Sequence, residues 1–167
     1  MKSAGLILFI LSISTVYSQP GANPYTARLT VIRGGYVEFT FNSIDKLNNG
    51  ITYTNYTQLS ICYKDPDNSA GTWKLSVQAN GANFTSDANT LNLSTVDLTT
   101  SNAGALAATY FANIPLSAVN SNIVTGGPQG TETENIVNVT YKCGMGGTML
   151  GKTQGNYTAD IIFTLSP

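Results

Sequence analysis

Along most of this chain, side chains alternate between apolar and polar with a period of two. A strand sends successive residues to opposite faces, so a half-buried strand reads apolar, polar, apolar; a helix repeats every ~3.6 residues instead. Tyr36 to Phe41 (YVEFTF) places Val37, Phe39 and Phe41 on one face and Tyr36, Glu38 and Thr40 on the other. Trp73 to Ala79 (WKLSVQA) sends Trp73, Leu75, Val77 and Ala79 inward, leaving Lys74, Ser76 and Gln78 for solvent. Ile136 to Tyr141 alternates likewise, and Tyr157, Ala159, Ile161, Phe163 and Leu165 share a face in the last segment. Shorter candidates are residues 28–32, 59–63, 91–93, 106–111 and 119–124. Residues 103–112 are the one stretch where a helix competes.

Turn residues separate these runs. Gly34-Gly35 divides the first two strands at hairpin spacing, and Asn80-Gly81, directly after WKLSVQA, is the sharpest hairpin signal in the chain. Asn48-Asn49-Gly50, Asp65-Pro66-Asp67-Asn68 and Gly126-Gly127-Pro128 are further breakers. Many short strands between turns, each with one apolar face, predict an all-β fold. The expected architecture is an immunoglobulin-like antiparallel β-sandwich of about eight to nine strands.

The first residues read differently. Lys2 precedes the apolar run Leu6 to Leu11, and Ser12 to Ser18 turns small and polar, the layout of a cleavable signal peptide over residues 1–18. The run is far short of the ~20 residues that span a bilayer, so no transmembrane segment is expected. Residues 19–167 are then about 150 residues, the size of a single domain, with no internal repeat or low-complexity linker inside. The expected location is secreted or on the extracellular cell surface.

Charge narrows the partners. Only 10% of residues are charged, the net charge is −1, and no basic cluster exists, which disfavours nucleic acid. The chain has no histidine, which removes Ser-His-Asp and Cys-His catalysis and the commonest zinc ligand. Nine carboxylates remain, Glu38, Asp45, Asp65, Asp67, Asp87, Asp97, Glu132, Glu134 and Asp160, and none forms an evident acid–base pair. The chain is therefore not expected to be an enzyme.

Cys62 and Cys143 are the two cysteines. In an exported protein they are expected to pair, closing a loop of about 80 residues worth on the order of 4 kcal/mol in the entropic account. Their phases conflict, however: Cys143 follows the inward Val137, Val139 and Tyr141, whereas Cys62 lies opposite in phase to Leu59, Ile61 and Tyr63, so a bridge needs a bulge or strand end to re-aim one side chain. Asp65, Asp67 and Asn68 set oxygen atoms at close spacing, as calcium prefers; the plainer reading is a turn whose Asp and Asn cap their own backbone, and no other cofactor is expected. Tyr53 and Tyr56, in a Thr/Asn-rich stretch, are candidates for exposed rings that stack on a sugar. Asn-x-Ser/Thr sequons occur at Asn55, Asn83, Asn92, Asn138 and Asn156.

Two segments carry a resemblance. WKLSVQANGANFTS, from Trp73 to Ser86, resembles the central strand of WxL-type bacterial cell-surface domains, and GNYTADIIFTLSP, from Gly155 to Pro167, is similar to the terminal strand of those domains and of pilin-like subunits. The chain departs from both: Phe163-Thr164-Leu165 stands where the WxL motif has Trp-x-Leu, and Ser166 stands where pilins usually have a tyrosine. The resemblance implies a non-catalytic structural or adhesion subunit of the cell surface, assembled into an oligomer or fibre by strand addition. Its partners would be other surface subunits or glycans. The candidate donor segment is Gln19 to Arg28, and the candidate acceptor edge is Tyr157 to Leu165. The alternative is a secreted carbohydrate-binding module.

Overall fold

The computed structural model describes the backbone of residues 7–16 and the whole of residues 26–87, 89–104 and 107–167. Twelve strands appear among them. They are β1 (Ile7–Val16), β2 (Thr26–Arg33), β3 (Tyr36–Val37), β4 (Ile51–Lys64), β5 (Thr72–Ser86), β6 (Asn89–Asn92), β7 (Val96–Asn102), β8 (Thr109–Tyr110), β9 (Ile114–Pro115), β10 (Ser121–Pro128), β11 (Gly130–Cys143) and β12 (Gly155–Ser166). Among the described residues one α-helix, α1 (Ile44–Asn49), precedes β4. The excess over eight or nine comes from two-residue strands too short to show a period, and from β1.

Two sheets result. The larger runs β3-β1-β12-β5-β10-β8, with β6 also paired to β5; the smaller runs β2-β4-β11-β7-β9. The chain is thus an all-β sandwich. Its alternating residues meet between the sheets: Val37, Trp73, Leu75, Phe84, Ile161 and Phe163 of the larger sheet and Leu59, Ile61, Leu98, Val137, Val139 and Tyr141 of the smaller are buried, together with Phe39 and Phe41 of the segment that follows β3. Burial at roughly 25 cal/mol per Å² of apolar surface is what holds the layers together. Every described strand pairing is antiparallel except one, in which β1 runs parallel to β12 over ten residue pairs, from Ile7↔Gly155 to Val16↔Thr164.

Local readings fare unevenly. Gly34-Gly35 is not a hairpin, because β2 joins the smaller sheet and β3 the larger. Gly34, at φ 68°, passes so close to β4 that a β-carbon there would sit 2.5 Å from the Tyr56 carbonyl oxygen, so the position requires glycine for both conformation and space. Asn80-Gly81 is not a turn either. β5 runs through it, and the β12 partners step from Thr158↔Thr85 to Asp160↔Asn80, so the extra residues form a bulge with Gly81 at φ 121°. The hairpin comes later, where Ser86 pairs with Asn89. The described part of residues 103–112 contains no helix; Thr109–Tyr110 is strand β8. The actual helix begins at Ser43, whose Oγ accepts from the Lys46 N–H at 3.3 Å, and stops at Gly50, φ 76°.

Cys62 and Cys143 do not pair; both are free. Cys143 lies opposite Ile51 at one end of the β4–β11 ladder, and Cys62 is 11 residues further along β4, opposite Arg28 of β2. At about 3.3 Å per residue that is roughly 35 Å, far beyond the ~7 Å between Cα atoms that a disulfide tolerates. The phase conflict seen in the sequence is real, and no bulge resolves it: Cys143 is buried and Cys62 half-buried.

Candidate functional site

Three places concentrate features beyond packing: the edge where β12 meets β1 and β3, an aromatic group on β4, and the turn after β4.

The edge comes first because it involves the most backbone. β12 has β5 on one side, bonded in register from Ile161↔Ala79 to Ser166↔Lys74. On its other side lies β1, the apolar leader of the sequence. β1 in turn bonds β3 through Leu11↔Val37 and Ser12↔Tyr36. Residues 7–16 therefore fill a strand position whose two walls, β12 and β3, belong to residues 26–167. The floor is apolar: Val37, Tyr157, Ile161 and Phe163 are buried on the inward phase, whereas Asn156 and Asp160 face outward. Alternation made the two phases of β12 legible; nothing local in residues 6–11 marks them as a strand rather than a signal-peptide core.

On β4, Tyr53 and Tyr56 do come together. Tyr53 stacks on Phe39 (ring centroids 5.0 Å apart, planes 12° apart) and on Tyr56 (5.3 Å, 28°). Their spacing in sequence would send them to opposite faces of a regular strand. A bulge between Tyr53↔Tyr141 and Thr57↔Val139 re-aims them, with Asn55 at φ 49°. That conformation is held by Asn55, whose N–H donates to Thr140 Oγ1 at 2.8 Å and whose carbonyl accepts from Arg33 Nη2 at 2.7 Å. Arg33, Gly34, Thr54, Asn55 and Tyr56 line a shallow depression. Tyr53 is half-buried, and burial followed by the neighbouring Tyr56 raises its phenol pKa; Tyr56 is 36% exposed. Arg33 escaped sequence reasoning, and Asn55 stands out there only as a sequon, not as a partner of the tyrosines. The only signal for them was an asparagine, a residue tolerant of left-handed backbone, between the two tyrosines.

Behind this group runs a buried relay. Tyr141 OH donates to Thr57 Oγ1 at 2.9 Å, and Thr57 donates to the Gly34 carbonyl at 2.6 Å. It ties β11, β4 and the β2–β3 crossing together.

In the turn after β4, Asp65 Oδ1 accepts from the N–H groups of Asp67 (3.1 Å) and Asn68 (3.2 Å), which is the backbone-capping arrangement. Gln129, between β10 and β11, fastens this turn by accepting from Asp65 N–H at 2.9 Å and donating to the Asn68 carbonyl at 2.6 Å. Among the described residues, no three Asp, Glu, Cys or His side chains converge as a metal site. Several carboxylates have local partners: Glu132 pairs with Arg28, Asp45 accepts from Asn49 at 2.7 Å, and Glu38 from Thr40 at 3.2 Å. Glu134 accepts from the Thr131 N–H and hydroxyl, which lower its pKa.

No family model matches the chain, and no curated protein matches it either.

Proposed function

We propose that this protein is a non-catalytic, exported subunit of the cell surface that joins its neighbours by strand addition at the β12 edge. The observation that carries the reading is the seat of β1. The segment that reads as a signal peptide occupies a complete strand position, bonded to β12 over ten residue pairs and to β3 over two. Cleavage after residue 18 would strip both walls of their partner. It would leave a row of unpaired N–H and C=O groups above the apolar residues Tyr157, Ile161 and Phe163. Such an edge accepts an extended segment: main-chain hydrogen bonds give affinity and alternate side-chain seats give specificity.

Two further features support a structural role over a catalytic one. The chain has no histidine. The carboxylates Asp65, Asp45, Glu132 and Glu134 are held by backbone groups, amides or a cation rather than facing one another.

The test compares the full chain with the chain that begins at Gln19 by amide hydrogen exchange. The shorter chain is expected to lose protection in β12 and β3, while the full chain keeps it. A shorter chain whose β12 and β3 amides are as protected as in the full chain overturns the proposal.

A second reading is favoured by the aromatic group: Tyr56, stacked on Tyr53 beside Arg33 and Asn55, suits the apolar face of a sugar. Binding on a glycan array that disappears in Tyr56→Ala would select it; no binding on the array would dismiss it.

A further inference from the structure

We infer that the strand position beside β12 is made for an extended segment of a separate polypeptide that runs parallel to β12, carries apolar side chains at every second residue and contains no proline over about ten residues. The inference rests on the strand-addition reading and specifies the partner at that same edge.

Direction and phase both come from the seat of β1. Its residues climb in step with those of β12, Ile7 opposite Gly155 and Val16 opposite Thr164. Phe9, Leu11, Ile13 and Thr15 take the register positions of Tyr157, Ala159, Ile161 and Phe163, the inward phase, and Leu11 also takes the position of the buried Val37. Leu8, Ile10, Ser12 and Ser14 take the positions of Asn156, Thr158, Asp160 and Ile162, of which the first three are polar and at least partly exposed. The position therefore asks for apolar residues on one phase only. That the leader is apolar on both at its start reflects its own demands as a signal peptide.

This chain's own residues 19–28 do not meet the requirement. Thr26, Ala27 and Arg28 already bond Lys64, Tyr63 and Cys62 in the smaller sheet. Pro20 and Pro24 lack the N–H that a ladder on two sides needs, and the remainder, Gln19 to Tyr25, is shorter than β1. A second copy can lend this segment only by unzipping the start of its own β2. The occupant is therefore a strand contributed by another protein.

Peptides test this against the chain beginning at Gln19. The parent carries residues 7–16 between solubilising lysines. An outward variant carries Leu8→Ser and Ile10→Ser, an inward variant Phe9→Ser, Leu11→Ser and Ile13→Ser, and a fourth peptide spans residues 19–28. Parent and outward variant are expected to bind with Kd values within about fivefold of each other. The inward variant should lose at least a hundredfold, since each buried apolar side chain contributes tenfold or more. The residue 19–28 peptide should not bind, and the full chain should bind none of them. A nitroxide at the parent's N-terminus should broaden the amides near Asn156 and spare those near Leu165. If the shorter chain does not stay folded alone, refolding yield with each peptide supplies the same ranking. Equal binding of the inward and outward variants, binding of residues 19–28 as tight as the parent, or broadening at Leu165 overturns this inference while strand addition stands. Failure of every peptide on a folded chain with protected β12 amides overturns strand addition itself.

Discussion

Tyr141 shows what one buried hydroxyl does in a sandwich interior. Its ring is core, while its OH supports Thr57 and through it the crossing at Gly34. Tyr141→Phe keeps the ring and deletes the bond, so chemical denaturation should report a loss of about 1 kcal/mol. The same residue sets an alkaline limit. Burial raises the phenol pKa of Tyr141 and the thiol pKa of Cys143 above their ordinary values, so both stay protonated in the fold. The unfolded chain releases those protons above about pH 8.5 for the thiol and pH 10 for the phenol. It then binds fewer protons than the native state. Stability is complete below those values and falls as pH rises, by up to about 1.4 kcal/mol per pH unit for each group. Denaturant midpoints from pH 7 to 11 should show this decline, and Tyr141→Phe should reduce the part that sets in near pH 10, leaving what Tyr53 and Tyr110, also raised by burial, contribute. Gly127 presents a steric version of the same sensitivity. A β-carbon there would run into the indole of Trp73, whose Nε1 donates to the Pro128 carbonyl at 2.8 Å. Gly127→Ala should cost about 2 kcal/mol or more through forced movement of that ring, read as a lowered unfolding midpoint.

At the scale of elements, bulges decide more than turns. The bulge at Asn80-Gly81 lets β5 continue as one strand that pairs with β12 on both sides of the irregularity and still reaches β6. Its backbone at Gly81 lies where an L side chain is strained, although nothing crowds the site: the nearest atom to an added β-carbon is 3.9 Å away. Gly81→Ala therefore isolates conformational cost from packing, and a loss of about 1 kcal/mol in denaturant unfolding is expected. No change would mean that the bulge relaxes freely. The β4 bulge at Asn55 works the other way round, bringing Tyr53 and Tyr56 onto one another when regular pleating would separate them.

For the whole molecule, the two free cysteines carry the clearest consequence. With roughly 35 Å of β-ladder between them, they cannot stabilise this fold as a bridge. The intact mass of the full chain should show two thiols, and reductant should leave the thermal midpoint unchanged. A thiol reagent should modify Cys62, half-buried on its strand, well before Cys143, which should react only on unfolding. A mass two hydrogens lighter, with a midpoint that falls on reduction, would contradict the arrangement of β2, β4 and β11.

Which apolar residues face inward was legible in the sequence, although Ser76, expected to face solvent, is buried as well, its hydroxyl donating to the Thr164 carbonyl at 3.4 Å. Phe39, Leu75, Val77, Val139, Ile161 and Phe163 are all buried as their alternation requires, and Cys143 is buried while Cys62 is only half-buried, as their phases require. Phase is a local property, set by a pleat that turns over at every residue. Partnership between strands is not local. That β2 and β3 part into different sheets, that Asn80-Gly81 bulges instead of turning, and that residues 7–16 seat between β12 and β3 all depend on segments far apart in the chain competing for the same hydrogen bonds. Only the closed sandwich resolves that competition, because each strand's choice of neighbour changes what remains for the others.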